Sequence, residues 1–208
     1  MPEYHYSARF YDALLSPFIT RIRRRVLALV RKHRYVRILD VCCGTGDQLK
    51  LLKKHGFDAK GVDISDAMLS VAHKGQHPAN CIHEDATQMH YEDAKFDLVM
   101  TAFALHEKDH ETARKIVEEM YRITAEGGAM LIVDYEISEK TSRFAKALIT
   151  LIEWFAGGEH YQNFKAYNQR GGLPALLSGI SVTELERYYF ARHGVVLVLF
   201  RRGESREH

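Results

Sequence analysis

The chain has 208 residues, of which 46% are hydrophobic and 27% are charged, and its formal net charge is +2. A chain of this length can bury one substantial core and is too short for two ordinary domains. The small net charge argues against a strongly basic surface of the kind that binds nucleic acids, so we expect no nucleic-acid partner. Three cysteines, two of them adjacent, do not make a disulfide framework. There is neither a signal-peptide pattern nor an apolar run of roughly twenty residues, so we expect a soluble, cytoplasmic protein.

The first segment, residues 1–34, carries apolar residues at helical spacing and is predicted to form an N-terminal helical cap. Its apolar positions are Leu15, Phe18, Ile19, Ile22, Val26, Leu29 and Val30. From Arg21 to Arg37 there are eight Arg or Lys residues and no acid, so the outer face of the helix is basic. Two interpretations stay open: a solvated helix face, or weak peripheral contact with an anionic membrane surface.

A strand, a glycine-containing turn and a helix follow in residues 36–49. Apolar residues lead into Asp40, the turn contains Gly44 and Gly46, and a helix is predicted from Asp47. Such a turn lets the backbone approach a ligand, and the free N–H groups of the helix face it. Asp63 ends a second short strand about twenty residues later, where its carboxylate can accept hydrogen bonds from ribose hydroxyls. The pattern predicts a nucleoside-cofactor site.

Strand-like and helix-like segments alternate from residue 36 to Tyr135, which predicts right-handed βαβ units and a parallel sheet. Residues 144–156 form an apolar helix that we expect to be covered on more than one side, and paired glycines interrupt the helical pattern after it. Residues 182–190 and 195–200 are predicted to be two strands joined by a short turn. The predicted organisation is a single domain with a cap (1–34), a cofactor-binding core (35–135), a helical insertion or lid (136–180) and a closing strand pair (181–202).

The turn after the first strand also discriminates between cofactors. A dinucleotide motif requires a third glycine where this chain has Leu49. The segment resembles instead the first motif of the class I S-adenosylmethionine-dependent methyltransferases, acid-x-Gly-x-Gly-x-Gly, with Cys42 in place of the first glycine. Residues 80–86, 96–101 and 122–128 resemble later segments of that family, in the same order. The resemblance implies an α/β, Rossmann-like doubly wound fold: a mostly parallel seven-stranded sheet with an antiparallel C-terminal strand and a helical insertion before the closing hairpin.

The resemblance further implies S-adenosylmethionine as the cofactor and S-adenosylhomocysteine as the product. Asp63 would hold the ribose, and Ile64 or Met68 would lie against the adenine. The carboxylate of Asp85 would accept a hydrogen bond from the adenine amino group. An aromatic face at Tyr11 would attract the sulfonium. The full predicted set is Tyr11, Asp40, Cys42, Gly44, Gly46, Asp63, Ile64, Met68, Asp85, Ala86 and Thr101. Among subfamilies the chain looks most like the small ubiquinone/menaquinone C-methyltransferases and the phospholipid N-methyltransferases, which implies a small, lipophilic methyl acceptor.

A base must take a proton if a hydroxyl, an amine or an activated carbon is methylated. His106, expected at the end of the fourth strand, is the first candidate, followed by His160 and Tyr161. His106 and His110 also fit the zinc pattern H-E-x-x-H, which requires both histidines on one helix face. Because the segment follows directly on a predicted strand, we predict no metal site.

Two other functions stay open at this point. A noncatalytic S-adenosylmethionine-binding protein that kept the fold is favoured by Cys42 in place of glycine. A nicotinamide-dependent oxidoreductase is disfavoured by Leu49. The sequence is compatible with a monomer or a homodimer.

Overall fold

The computed structural model describes the backbone of residues 4–203 and the side chains of residues 18–203. Seven helices and seven strands lie in this part of the chain. They are α1 (Tyr4–His33), β1 (Ile38–Val41), α2 (Asp47–Lys54), β2 (Ala59–Asp63), α3 (Asp66–Ala72), β3 (Asn80–His83), β4 (Phe96–Ala102), α4 (His110–Ile123), β5 (Thr124–Tyr135), α5 (Arg143–Ala156), α6 (Gly158–Gln169), α7 (Gly172–Leu176), β6 (Val182–Phe190) and β7 (Val195–Arg202).

All seven strands form one sheet in the order β3-β2-β1-β4-β5-β7-β6. The first five strands run parallel, and β7 pairs antiparallel with both β5 and β6. The predicted Rossmann-like sheet, its antiparallel closing strands and the helical insertion before them are confirmed. The strand order changes direction between β1 and β4, and in open α/β sheets ligands bind at such a switch, beyond the carboxyl ends of the strands.

The sheet has a hydrophobic layer on each face, because successive side chains of a strand point to opposite sides. Ile38 of β1 packs in the layer that contains the inner face of α1, whereas Leu39 packs in the layer that contains α4. Every residue of β7 from Val195 to Phe200 is buried, as expected for a strand covered on both faces. The two layers hold the carboxyl ends of β1, β2 and β4 rigidly in place.

The insertion consists of α5, α6 and α7, separated at the predicted glycines. The expectation that α5 is covered on more than one side is wrong for the described residues. Ala145, Ile149 and Glu153 of α5 are buried, at the four-residue spacing of a single helix face. The other face is exposed and carries Phe144, Leu151, Trp154 and Phe155, with exposed fractions of 67%, 51%, 60% and 57%. No helix in the described part of the chain combines the length and the apolar character that crossing a bilayer requires.

Candidate cofactor and acceptor site

The turn after β1 has the backbone shape that its glycines predicted. Gly44 and Gly46 have φ values of 55° and 68°, and Gly46 immediately precedes α2. A Cβ on Gly46 would lie 2.6 Å from the Cβ of Ala79, so this position is restricted both by its φ and by packing. Cys42 has a φ of 57°, so a cysteine occupies the left-handed conformation that glycine adopts without strain. The turn therefore keeps a glycine-type shape despite the substitution.

Leu49, at the position of the missing third glycine, packs closely against β2. A Cβ built on Gly61 of β2 would lie 2.5 Å from Cδ1 of Leu49. The close approach of helix and strand is thus obtained with a small residue on the strand and a large one on the helix. The packing partner of Leu49 lies twelve positions later in the chain and was not predicted from the turn.

Asp63 is already hydrogen-bonded to the turn. Its Oδ2 accepts from the backbone N–H of Gly44 at 2.7 Å, and its Oδ1 accepts from the N–H of Ser65 at 2.9 Å. A carboxylate oxygen can accept more than one hydrogen bond, so both oxygens keep capacity for ribose hydroxyls. The side chain is therefore fixed in position before any ligand binds, which reduces the cost of ordering it.

The predicted adenine contacts lie around one large crevice of about 1200 Å³. Ile64 is 61% exposed, which leaves an apolar surface available at the crevice, and Met68 also lines it. Asp85 is exposed, and its Oδ1 accepts from the N–H and the hydroxyl of Thr87, both at 2.8 Å. These bonds lower the pKa of Asp85, so it is a carboxylate that can accept from an exocyclic amino group. Ala86 is buried and lines the same crevice.

Asp40 and Thr101 line a smaller cavity of about 140 Å³ under α1, continuous with the turn. Burial raises the pKa of Asp40 to about 8, with Arg23 lowering it and Asp63 raising it further. The Thr101 hydroxyl is buried and has no hydrogen-bond partner among the described residues, so it is available to a polar ligand group. These features fit a polar ligand tail beside the turn. The side chain of Tyr11 lies outside the described residues.

His106 does not lie at the end of β4 as predicted, but four residues beyond it, in the loop before α4. Its Nδ1 is 2.5 Å from Oδ1 of the buried Asp134, and its Nε2 is 3.6 Å from Oε2 of the buried Glu153. Burial alone would lower the pKa of His106, but the two carboxylates outweigh it and raise the pKa to about 10. At neutral pH the imidazole therefore holds its proton, which argues against the base role given to it from sequence.

The remaining candidates differ in position. His160 of α6 lines the crevice, with its Nδ1 3.9 Å from Oε2 of Glu107. Tyr161 is half-buried against the core and does not line the cavities described for residues 18–203. His110 is the first residue of α4, whereas His106 lies in the preceding loop, so the two do not share a helix face as the zinc pattern requires.

A second cavity of about 490 Å³ lies beside the crevice, under α5, and its lining is mainly apolar. Its polar groups include His106, Glu107 and Glu153, with Arg192 also in the lining. Phe103 lines the crevice and both other cavities, with a φ of 55° that is unusual for a bulky residue. Phe103, Glu107 and Glu153 were not predicted from the sequence as site residues. One available signal was Glu153, the only acid in the mainly apolar helix α5.

Comparisons with known proteins agree with this geometry. Residues 38–128 match a family profile described as "Methyltransferase domain". A demethylmenaquinone methyltransferase from Thermus thermophilus is 30% identical over 156 residues, which cover 71% of this chain and 70% of that protein. The relative of the same name from Thermotoga maritima is 29% identical over 154 residues, which cover 71% of this chain and 66% of that protein.

A solved structure shows the same fold. The magnesium protoporphyrin IX methyltransferase of Synechocystis, determined with bound S-adenosylhomocysteine, has a TM-score of 0.64 and 14% identity, covering 88% of this chain and 83% of that chain. This similarity concerns the fold, and the family is shown by the relative from Thermus thermophilus, which is 30% identical over 70% of its length. The chain belongs to the class I S-adenosylmethionine-dependent methyltransferases.

Proposed function

We propose that the protein is an enzyme that transfers a methyl group from S-adenosylmethionine to a lipophilic acceptor carrying a ring hydroxyl, such as a quinol precursor. The observation that carries the proposal is the apolar cavity of about 490 Å³ that shares the wall residue Phe103 with the cofactor crevice. Pockets for apolar ligands combine such a lining with a few polar groups that fix orientation. The relatives named demethylmenaquinone methyltransferases support the same acceptor class.

The bound cofactor would supply an electrophilic methyl group on a positively charged sulfur. The protein residues then have to hold the cofactor and align the acceptor. Asp63 would bind the ribose, Asp85 and Ile64 would contact the adenine, and Asp40 and Thr101 would bind the polar tail of the cofactor. Phe103 lies between crevice and cavity, so it would contact both reactants and exclude water between them.

A cavity-filling variant tests where the acceptor binds. Leu148 lines the cavity, whereas Leu151 lies on the exposed face of the same helix. We expect Leu148→Trp to abolish methyl transfer from labelled S-adenosylmethionine to 2-prenyl-1,4-naphthoquinol and to leave calorimetric affinity for S-adenosylhomocysteine unchanged. Leu151→Trp is the matched control and should keep both the methyl transfer and the affinity for S-adenosylhomocysteine. Transfer to phosphatidylethanolamine instead of the naphthoquinol would assign the phospholipid-type acceptor.

We further propose that the exposed apolar face of α5 contacts the surface of an anionic membrane, from which a lipophilic acceptor would enter. Phe144 lines the cavity and is also exposed, so the cavity reaches the surface at this face. The guanidinium of Arg192 lies 5.9 Å from the centre of the Phe144 ring and supplies positive charge there. Aromatic and apolar side chains beside cations are typical of interfacial contacts.

The basic face of α1 is less suited to this contact than the sequence suggested. Arg23 pairs with Asp47 at 2.9 Å, and Lys32 pairs with Glu186 at 2.9 Å. Arg25 stacks over the Tyr188 ring at 4.3 Å. These cations are partly neutralised or occupied within the molecule, which leaves fewer of them for head groups.

Vesicle co-sedimentation distinguishes the two surfaces. We expect salt-sensitive binding to anionic vesicles and weaker binding to neutral ones, because each cation near an anionic surface contributes about 1 kcal/mol. Trp154→Ser with Phe155→Ser should lose the binding, whereas Arg23→Glu with Arg24→Glu should reduce it less. The reverse order would assign the contact to α1, and no binding at low salt would exclude a membrane contact.

The noncatalytic alternative has a separate test. Cys42 favours it by sequence, but the turn around Cys42 keeps its glycine-type conformation. Binding of S-adenosylhomocysteine without transfer to naphthoquinol, phospholipid or other extracted lipids would favour a binding protein. Equal thermal stabilisation by S-adenosylhomocysteine and NAD would reopen the oxidoreductase alternative.

A further inference from the structure

The wall between the cofactor crevice and the apolar cavity is the place where a methyl group has to pass. Within the described residues, two side chains line both spaces, Phe103 and Glu107, and of these two only Glu107 ionises. We propose that Glu107 is a catalytic residue, the general base that takes the proton of the acceptor hydroxyl as the methyl group is transferred. This inference rests on the proposed function.

The backbone of Glu107 is held by a neighbouring element. The Nδ2 of Asn163 in α6 donates a hydrogen bond to the Glu107 carbonyl at 2.9 Å. On the other side, the N–H of Phe103 donates to the Val133 carbonyl of β5 at 2.8 Å and fixes the start of the loop. The loop between β4 and α4 is therefore fastened at both ends, and the half-buried Glu107 carboxylate is directed to the shared wall. A general base needs this kind of fixed position near the reacting hydroxyl.

Charged groups surround the Glu107 carboxylate on several sides. Burial raises its pKa above the ordinary value, while His106, His160 and Lys108 lower it and Glu153 raises it. A carboxyl group whose pKa moves toward neutrality accepts a proton more readily than an ordinary glutamate.

The proposed step is balanced in atoms and electrons. The Glu107 carboxylate takes the proton from the acceptor O–H, and the acceptor uses the released electron density to bond to the methyl carbon. The bond from that carbon to sulfur breaks, and its electron pair stays on sulfur, which becomes a neutral thioether. If a ring carbon is the nucleophile, its own proton is then lost and the ring hydroxyl is restored. One proton per turnover leaves Glu107 to solvent.

The kinetic test compares Glu107→Gln with Glu92→Gln, a control at a residue whose side chain is 82% exposed and pairs with Lys95. With 2-prenyl-1,4-naphthoquinol as the probe, we expect Glu107→Gln to lower kcat roughly 10²- to 10⁴-fold. Its calorimetric affinity for S-adenosylhomocysteine should stay within about threefold, an effect below ~1 kcal/mol. The wild-type rate should rise with pH as the carboxyl group loses its proton, and this rise should be absent in Glu107→Gln. An unchanged kcat in the variant would overturn the assignment.

A binding test does not depend on turnover. With S-adenosylhomocysteine bound, the hydroxyl of neutral 2-naphthol should donate a hydrogen bond to the ionised Glu107 carboxylate, so its calorimetric affinity for the wild type should fall as lower pH protonates that carboxylate. Glu107→Gln should bind 2-naphthol more weakly and without this pH dependence. The same affinity and the same pH dependence in both proteins would overturn the base role alone. If the wild type neither binds 2-naphthol nor methylates the naphthoquinol, the proposed acceptor class fails, and the base role fails with it.

Discussion

Asp63 offers the sharpest test of the cofactor site, because its carboxylate accepts hydrogen bonds within the protein and is the proposed ribose contact. In Asp63→Ala, two hydrogen bonds to ribose hydroxyls would be lost, at about 1.5–3 kcal/mol each for a charged acceptor. The sum of roughly 3–6 kcal/mol corresponds to a 10²- to 10⁴-fold loss of affinity. The N–H groups of Gly44 and Ser65 would also lose their acceptor, so the fold should be destabilised by about 1–3 kcal/mol.

The assay is calorimetric titration of S-adenosylhomocysteine at a temperature where circular dichroism shows the variant folded. Asp66→Ala is the matched control, because Asp66 lies three positions later and its side chain is 83% exposed. We expect Asp66→Ala to bind within about twofold of the wild type, a difference under ~0.5 kcal/mol. Folded Asp63→Ala with near-normal affinity would refute the assignment of the ribose contact.

Three further predictions follow from the turn and from the buried ion cluster. Cys42→Gly should leave S-adenosylhomocysteine affinity intact and change the free energy of unfolding in urea by less than about 1 kcal/mol. The change is small because glycine relieves the left-handed strain at position 42 but also adds entropy to the unfolded chain. Gly46→Ala should lower stability by about 1–3 kcal/mol, measured the same way, because its Cβ would meet Ala79 at 2.6 Å. For His106, whose folded pKa of about 10 exceeds the unfolded value of about 6.5, the contribution to stability is complete below pH 6.5 and is lost as pH rises to 10. The free energy of unfolding measured across that range should therefore fall as pH rises, by at most about 1.4 kcal/mol per pH unit, and it should fall less in Glu153→Gln. A rise with pH would contradict a stabilising role for the charged His106 in this cluster.

The fold could be predicted because each step of it depends on local sequence. Short β-branched runs alternate with helical periodicity from residue 36 to Tyr135, and right-handed crossovers then leave few arrangements of the strands. The juxtaposition of Asp63 with the turn at Gly44 was predictable for the same reason, since parallel neighbours end at the same edge of the sheet.

The acceptor side could not be predicted from sequence, because it depends on contacts between distant residues. His106 looked like a free base, yet its protonation depends on Asp134 and Glu153, which lie 28 and 47 positions later. The apolar composition of α5 suggested that it is covered on more than one side, whereas part of its surface lines a cavity and another part is exposed. Local pattern gives the amount of apolar surface on a helix and does not give what covers it.

The cofactor side and the α5 side of the site should therefore differ in how well they tolerate substitutions. The proposed cofactor contacts at the ends of β1, β2 and β4 are fixed by a sheet that is buried on both faces, so a substitution there should disturb packing as well as binding. The proposed acceptor cavity is bounded on one side by α5, whose outer face has no cover among the described residues. Side chains of α5 can therefore change the size and polarity of the cavity at little cost to the core. If this division holds, substitutions at Leu148 and Ile152, which line the cavity, should change which acceptor is methylated while affinity for S-adenosylhomocysteine stays constant.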